Sequence, residues 1–427
     1  MSLRSIKSNL DLSTSRRVSP TRLAPPLSKP IRQREKTPLK SGFTLKFGEK
    51  YHAFAFPEVP WPLGYEPEIL DLDVLYHQFI KDSYGLTFVK FPEGIPRRVL
   101  DLGTGIGTWV VDAASHWKET EFVGLDVVPI QPALEATLEA ETCSRIQWVT
   151  GNFLQKLPFD DNSFDYVRCV NVARGIPENK VTVTRREISR VLKPSGAVEV
   201  LVHNIVFPYV PQIVSQTPIL ETPRSPVAQE FRGLERHEHS LLENLFFGVF
   251  ERRFINVRPT SIVANYLNIH FKHVTETPVH FQTTDPEQGT TRPRLPLRFL
   301  AWQAVFGCKE SMWEEAMIAG QETGKDLFHE IPPTEEEEGL TTRQRFELLF
   351  ERYEQEMRSH TGLSTAMEKL LGWKKPGPNG ERGDVLRDLE EDLKTLSKSE
   401  VALSQSSSHD VDMSRQISCF VGFKGGT

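Results

Sequence analysis

The chain has 427 residues, 38% of them hydrophobic and 25% charged, and a net charge of −6 at pH 7. That length accommodates a single large α/β domain with insertions and tails, and the composition fits a soluble globular protein. The acidic balance argues against a protein built mainly to bind nucleic acid, and no apolar run approaches the roughly 18 residues of a membrane span.

Residues 1–42 read as a disordered basic arm. Ten Lys and Arg between Met1 and Lys40 face only Asp11 and Glu35 among prolines and serines, with no apolar core of a signal peptide. Residues 43–96 form an N-terminal cover and helix. Phe43 to Tyr65 is aromatic, proline-rich and irregular, and Pro67 then opens a helix in which Ile69, Leu72, Tyr76 and Phe79 recur at helical spacing before Gly85. His77 in that helix reads as an ordinary hydrogen-bonded histidine.

The core is expected over 97–290. Arg97 to Leu102 is an apolar strand, Gly103, Gly105 and Gly107 alternate behind it, and Trp109 to Trp117 resumes as a helix. Glycine at such a turn allows positive φ and lets a ligand lie against the backbone, at the start of a helix with free N–H groups. Glu121 to Asp126 closes a βαβ unit, which demands parallel strands and a right-handed crossover. Asp126 then stands at the tip of the second strand, 25 positions after Asp101, placed to accept ribose hydroxyls. The glycine spacing differs from the GxGxxG of dinucleotide sites, and the acid beside the turn suits an amino-bearing ligand instead of a pyrophosphate.

Further strands follow at Ile146–Thr150, Phe164–Val167 and Ala197–Val202, with a helix through Arg185–Leu192 that stops at Lys193-Pro194-Ser195-Gly196. The repeating βα order predicts a doubly wound sheet with its ligand at the carboxyl ends of the strands, where the glycine turn, Asp126 and Asn152 fall. An insertion over 208–258 carries the apolar stripe Leu241, Leu242, Leu245, Phe246, Val249 and Phe250, expected to be a lid or wall of a pocket. His237, Glu238 and His239 look like a metal cluster, but positions i and i+2 do not share a helix face, so a solvated helix entry is expected and no metal is assigned. A helix over Thr260–Leu267 leads to a sixth strand at Phe271–Phe281.

Residues 291–373 read as a helical insertion, Arg298 to Trp313 onward and Thr341 to His360, divided by the acidic run Glu335–Glu338. Its stripe of Phe346, Leu349, Phe350, Tyr353 and Met357 is expected to dock on the core or on a protein partner. Residues 374–413 form a flexible linker with one helix around Val385–Leu396, and 414–427 supply a seventh strand, Gln416–Phe423, antiparallel beside the sixth. Cys143, Cys169, Cys308 and Cys419 have neither CxxC spacing nor histidine partners, so reduced thiols and a cytoplasmic or nuclear setting are expected.

Val-Leu-Asp-Leu-Gly-Thr-Gly-Ile-Gly, Val-Gly-Leu-Asp, Leu-Pro-Phe-x-Asp-Asn-Ser-Phe-Asp-Tyr-Val and Arg-Val-Leu-Lys-Pro-Ser-Gly, in that order between Arg97 and Val202, resemble class I S-adenosylmethionine-dependent methyltransferases. Lys50-Tyr51-His52-Ala53-Phe54, Leu70-Asp71-Leu72-Asp73 and Ile130-Gln131-Pro132 narrow the resemblance to the LaeA-like fungal methyltransferases linked to secondary-metabolism regulation. The resemblance implies a seven-stranded Rossmann-like sheet and S-adenosyl-L-methionine as cofactor. It also implies a cofactor site drawn from Asp101, Gly103, Thr104, Gly105, Gly107, Asp126, Val127, Asn152, Phe153 and Asn171. Asp101 would lie near the methionine amino group, Asp126 would hold the ribose, Asn152 and Phe153 would flank the adenine, and Val170 and Asn171 would sit where cofactor and acceptor meet. Transfer of an already electrophilic methyl needs mainly a positioned nucleophile, with a base where the acceptor must lose a proton. His203, beside Asn204, is the first candidate base and His52 the second, although LaeA-like proteins tend to carry acidic residues near the former. The expected acceptor is a small molecule or a protein side chain; a regulatory module with little turnover is the alternative.

Overall fold

The computed structural model describes residues 42–92, 94–134, 138–208, 237–279, 298–328, 339–361 and 417–425. Strands β1 (Phe43–Lys46) and β2 (Glu49–His52) pair as a hairpin, and helix α1 (Pro67–Tyr84) follows. The central chain alternates β3 (Arg98–Leu102), α2 (Thr108–His116), β4 (Glu121–Asp126), the short α3 (Ala140–Cys143), β5 (Ile146–Thr150), β6 (Phe164–Val170), α4 (Glu178–Val191) and β7 (Leu192–His203). Beyond it come α5 (Ser240–Arg252), α6 (Val263–Leu267), β8 (Phe271–Pro278), α7 (Arg298–Gly307), α8 (Lys309–Thr323), α9 (Thr342–Thr361) and β9 (Ile417–Lys424).

One seven-stranded sheet runs β5-β4-β3-β6-β7-β9-β8. Its first five strands are mutually parallel, and β9 is antiparallel to both β7 and β8, between which it lies. This is the Rossmann-like methyltransferase sheet that the sequence leads one to expect. Alternate side chains go to opposite faces: Val99 joins Trp109, Val110, Phe122 and Tyr166 under α1 and α2, whereas Leu100 and Leu102 join Val167, Ile188 and Val191 under α4. The strand order reverses between β3 and β6, and such a switch point opens a crevice at the strands' carboxyl ends.

Several local expectations are corrected. The stretch from Phe43 is a hairpin: Phe47 and Gly48, both at positive φ, make a two-residue turn of the kind that matches strand twist. Phe-Gly is an uncommon pair for such a turn, which hid it. The Lys193–Gly196 stop lies within β7, where Ser195 takes φ +63° and the register against β6 shifts. The stripe on α5 is no lid. None of its residues reaches the main cavity; with α7, α8 and α9 they form a second core around Phe246, Phe250, Trp302, Met312, Phe346 and Tyr353. The α9 stripe packs into that same core, the first of the two placements expected for it. His239 is not at a solvated helix entry either: it is buried, hydrogen-bonds to Glu356 on α9, and lies 3.4 Å from Glu238. The basic arm to residue 41, the acidic run Glu335–Glu338 and the helix expected near Val385–Leu396 lie outside the described residues. No described helix is long and apolar enough to cross a membrane.

Candidate active site

β3 ends at Leu102 and the chain turns through Gly103, Gly105 and Gly107, with φ of +73°, +56° and +80°. The three do different work. A Cβ on Gly103 would stand 2.5 Å from Val172 Cγ1 and one on Gly107 2.5 Å from the Trp148 ring, whereas at Gly105 it would meet nothing within 4 Å. Gly103 and Gly105 line a cavity of ≈ 160 Å³. Gly107 does not border it and packs against Trp148.

Asp126, at the tip of β4, accepts the Gly105 amide at 2.8 Å and the Val128 amide at 3.3 Å. Burial pushes its carboxyl up to about 6 despite these bonds. Thr104, Val127, Asn152, Phe153 and Asn171 line the same cavity. Asn152 donates to Glu58 O at 2.9 Å and accepts from Leu154 N at 2.9 Å, so its amide holds the loop together. Asn171 sits at φ +56°, and its buried Oδ1 has no hydrogen-bond partner. Asp101 also borders the cavity, with Oδ1 taken by Arg168 at 3.1 Å and Oδ2 by the Thr104 hydroxyl at 2.8 Å.

The inner end is built by α1, α7 and the loop after β6. Asp73 and Tyr76, three residues apart, share the α1 face that borders the cavity. Gln303 on α7 donates from Nε2 to both Ile69 O and Asp73 Oδ1 at 2.8 Å. Its Oε1 accepts from Arg174 Nη1 at 3.4 Å, and Arg174 Nη2 donates to His203 Nε2 at 2.6 Å. Burial raises the Asp73 carboxyl and lowers the Arg174 guanidinium to about 10.

Neither candidate histidine lines the cavity. His203 is buried behind Arg174 and is held well below its ordinary value by burial and then by the Arg174 charge. His52 bonds Trp61 O at 2.8 Å through Nε2, and burial depresses it to about 4. The first is braced against an arginine and the second is fixed in the hairpin.

Residues 99–196 match the family model for a methyltransferase domain. Residues 99–196 are a class I S-adenosylmethionine-dependent methyltransferase domain, LaeA-like in sequence. A demethylmenaquinone methyltransferase of Bacillus licheniformis is 36% identical to this chain over 114 residues, 26% of the chain and 47% of the relative. The secondary metabolism regulator laeA of Aspergillus flavus is 34% identical over 96 residues, 22% of the chain and 25% of the relative. The chain thus spans less than half the length of either relative. A solved Haemonchus contortus phosphoethanolamine N-methyltransferase 2 covers 82% of this chain and 53% of its own at 14% identity, with a TM-score of 0.34.

The cofactor of the methyltransferase domain is S-adenosylmethionine, and the cavity fits it chemically. The Asp126 carboxylate, an orphaned carbonyl at Asn171 and open space at Gly105 all border the cavity. Sequence reasoning missed Asp73, Arg174 and Gln303. They come from three segments far apart in the chain, and only Asp73 lay within a quoted motif.

Proposed function

We propose that the chain is an active methyltransferase that moves a methyl group from S-adenosylmethionine to an acceptor bound between α1 and the Arg174–Gln303 pair. The observation that carries this reading is the continuity of one cavity from the glycine turn and Asp126 to Asp73, Tyr76 and Gln303. A module that only bound cofactor would have no use for the polar inner end. The sulfonium supplies an electrophilic methyl, so the protein's task is to hold the acceptor in line and exclude water.

Asp126 is assigned to the ribose hydroxyls, as the carboxylate that borders the cavity at the tip of β4. Gly103, Thr104 and Gly105 give the methionine part a close backbone surface; Val127 and Phe153 flank the adenine, with Asn152 holding the loop of the latter; Asn171 offers its unpartnered oxygen at the junction with the acceptor. Asp101 fixes Thr104 and Arg168 and is shared with the amino group. The similarity to a secondary metabolism regulator supports a role in fungal secondary metabolism. Calorimetry with S-adenosylmethionine followed by a radiolabelled methyl screen over fungal extract tests the proposal. Saturable binding with label in a discrete product is expected; binding with no labelled product would leave only a cofactor-binding module.

A further inference from the structure

Asp73 is the one carboxylate at the inner end of the cavity whose partners leave an oxygen over. Its Oδ1 accepts from Gln303, while its Oδ2 has no hydrogen bond among the described residues and is not among the fully buried orphan atoms, although the residue borders the cavity. One turn further along α1, the Tyr76 hydroxyl is buried against the same space and has no hydrogen-bond partner. The surrounding wall is apolar and aromatic, including Trp61, Ile69 and Trp109. A free carboxylate oxygen beside a buried, unpartnered phenol in such a wall calls for a ligand that bonds to both.

We infer that Asp73 is the general base for a neutral hydroxyl acceptor of phenolic or enolic type, an inference that rests on the methyltransferase reading above. The acceptor oxygen forms a bond to the methyl carbon as the carbon–sulfur bond breaks with its electron pair going to sulfur, and the hydroxyl proton passes to Asp73 Oδ2. The products are a methyl ether and S-adenosylhomocysteine, with the sulfonium's positive charge balanced by loss of the carboxylate's negative one. Arg174, held at 2.6 Å by His203, lies beside Asp73 through Gln303 and favours negative charge developing on the acceptor oxygen. An amine would instead become a cationic product beside that guanidinium.

Gln303 makes the inference testable without the natural acceptor. Both hydrogens of its Nε2 are committed to acceptors, so in Asp73→Asn the new amide must turn its oxygen toward Gln303 and its NH₂ toward the cavity. The variant keeps the volume and the Gln303 bond but presents a donor where the wild type presents an acceptor.

The experiment measures phenol and anisole binding at neutral pH to the full chain saturated with S-adenosylhomocysteine, with S-adenosylmethionine affinity in parallel. The wild type is expected to bind phenol about tenfold more tightly than anisole, and Asp73→Asn to lose that preference. Cofactor affinity should stay within about threefold, and labelled transfer to phenol should fall by about a hundredfold or more. No preference in the wild type, or a preference that survives in Asp73→Asn, overturns the assignment. A tenfold loss of cofactor affinity in the variant also overturns it, by placing Asp73 on the cofactor. A wild type that binds no S-adenosylmethionine at all would instead remove the methyltransferase reading on which the inference stands.

Discussion

The Asp126 carboxylate accepts the amide hydrogen of Gly105 at 2.8 Å, tying the tip of β4 across to the turn behind β3. The bond holds together two parts of the wall that the cofactor is proposed to touch, and it does so with a carboxyl that burial has pushed up to about 6. Cofactor affinity should therefore weaken as pH falls through about 6, by up to about tenfold per unit below it, because hydroxyls donate to the carboxylate and not to the acid. Calorimetric titrations at a series of pH values check this.

The same shift has an opposite sign for stability. A carboxyl whose folded value lies above its unfolded one favours folding only while protonated, so that contribution is lost as pH rises from about 4 to about 6. By neutral pH the buried charge costs at most about 3 kcal/mol. Asp126→Asn is expected to raise the thermal midpoint of the cofactor-free protein at pH 7 while weakening S-adenosylmethionine by more than about tenfold. Thermal denaturation and calorimetry on one preparation separate the two effects.

Gly103 and Gly105 should respond differently to alanine. Gly103→Ala strains φ +73° and drives a methyl into Val172, for a loss of about 2–4 kcal/mol. Gly105→Ala meets open space and carries only the backbone penalty of about 1 kcal/mol, so its main effect should be on cofactor binding. Denaturant midpoints set against dissociation constants distinguish the two patterns.

Arg168 is buried between Asp101 at 3.1 Å and Glu199 at 3.9 Å, with its guanidinium 4.5 Å over the Trp109 ring. Arg168→Met keeps much of the volume but leaves two carboxylates without their shared cation, and should cost about 3–5 kcal/mol. The loss should grow as pH rises, because burial raises the Glu199 carboxyl and its charge then goes unpaired, which urea titrations at acidic and neutral pH would show.

His203 accepts from Arg174 without lining the cavity. Held well below its ordinary value by burial, it stays neutral across the working range, so the pH–rate profile should carry no ionisation of His203. His203→Gln retains an acceptor and should lose little, whereas His203→Leu removes it and should cost about 1–3 kcal/mol along with turnover. Thermal midpoints and labelled transfer rates of the two variants provide the comparison.

Much of this architecture is readable in the chain because its signals are local. β4 and β5 fall on the expected Glu121–Asp126 and Ile146–Thr150, and Pro67 and Gly85 bracket α1 as anticipated. Features that depend on which distant segments meet are less legible. Whether the α5 and α9 stripes cover the cavity or one another is decided by packing among four helices, and helical periodicity does not name a partner. His203 drew attention by its place after a strand, yet its environment is set by Arg174, and Gln303 comes from a helix 129 residues beyond that arginine. The cofactor wall lies within one βα repeat pattern; the inner end is assembled from three separate segments.

β9 occupies the slot between β7 and β8, so the sheet cannot close until residues 417–424 have been made. The ribosome adds about 5–20 residues per second, and the chain between His203 and Ile417 therefore takes on the order of 10–40 s to appear. Throughout that interval β7 presents an open edge of Val198, Val200 and Val202, the kind of surface that invites pairing with a stranger. The β7 edge therefore stays unpaired until β9 has been made, and slower translation is expected to lower the soluble fraction.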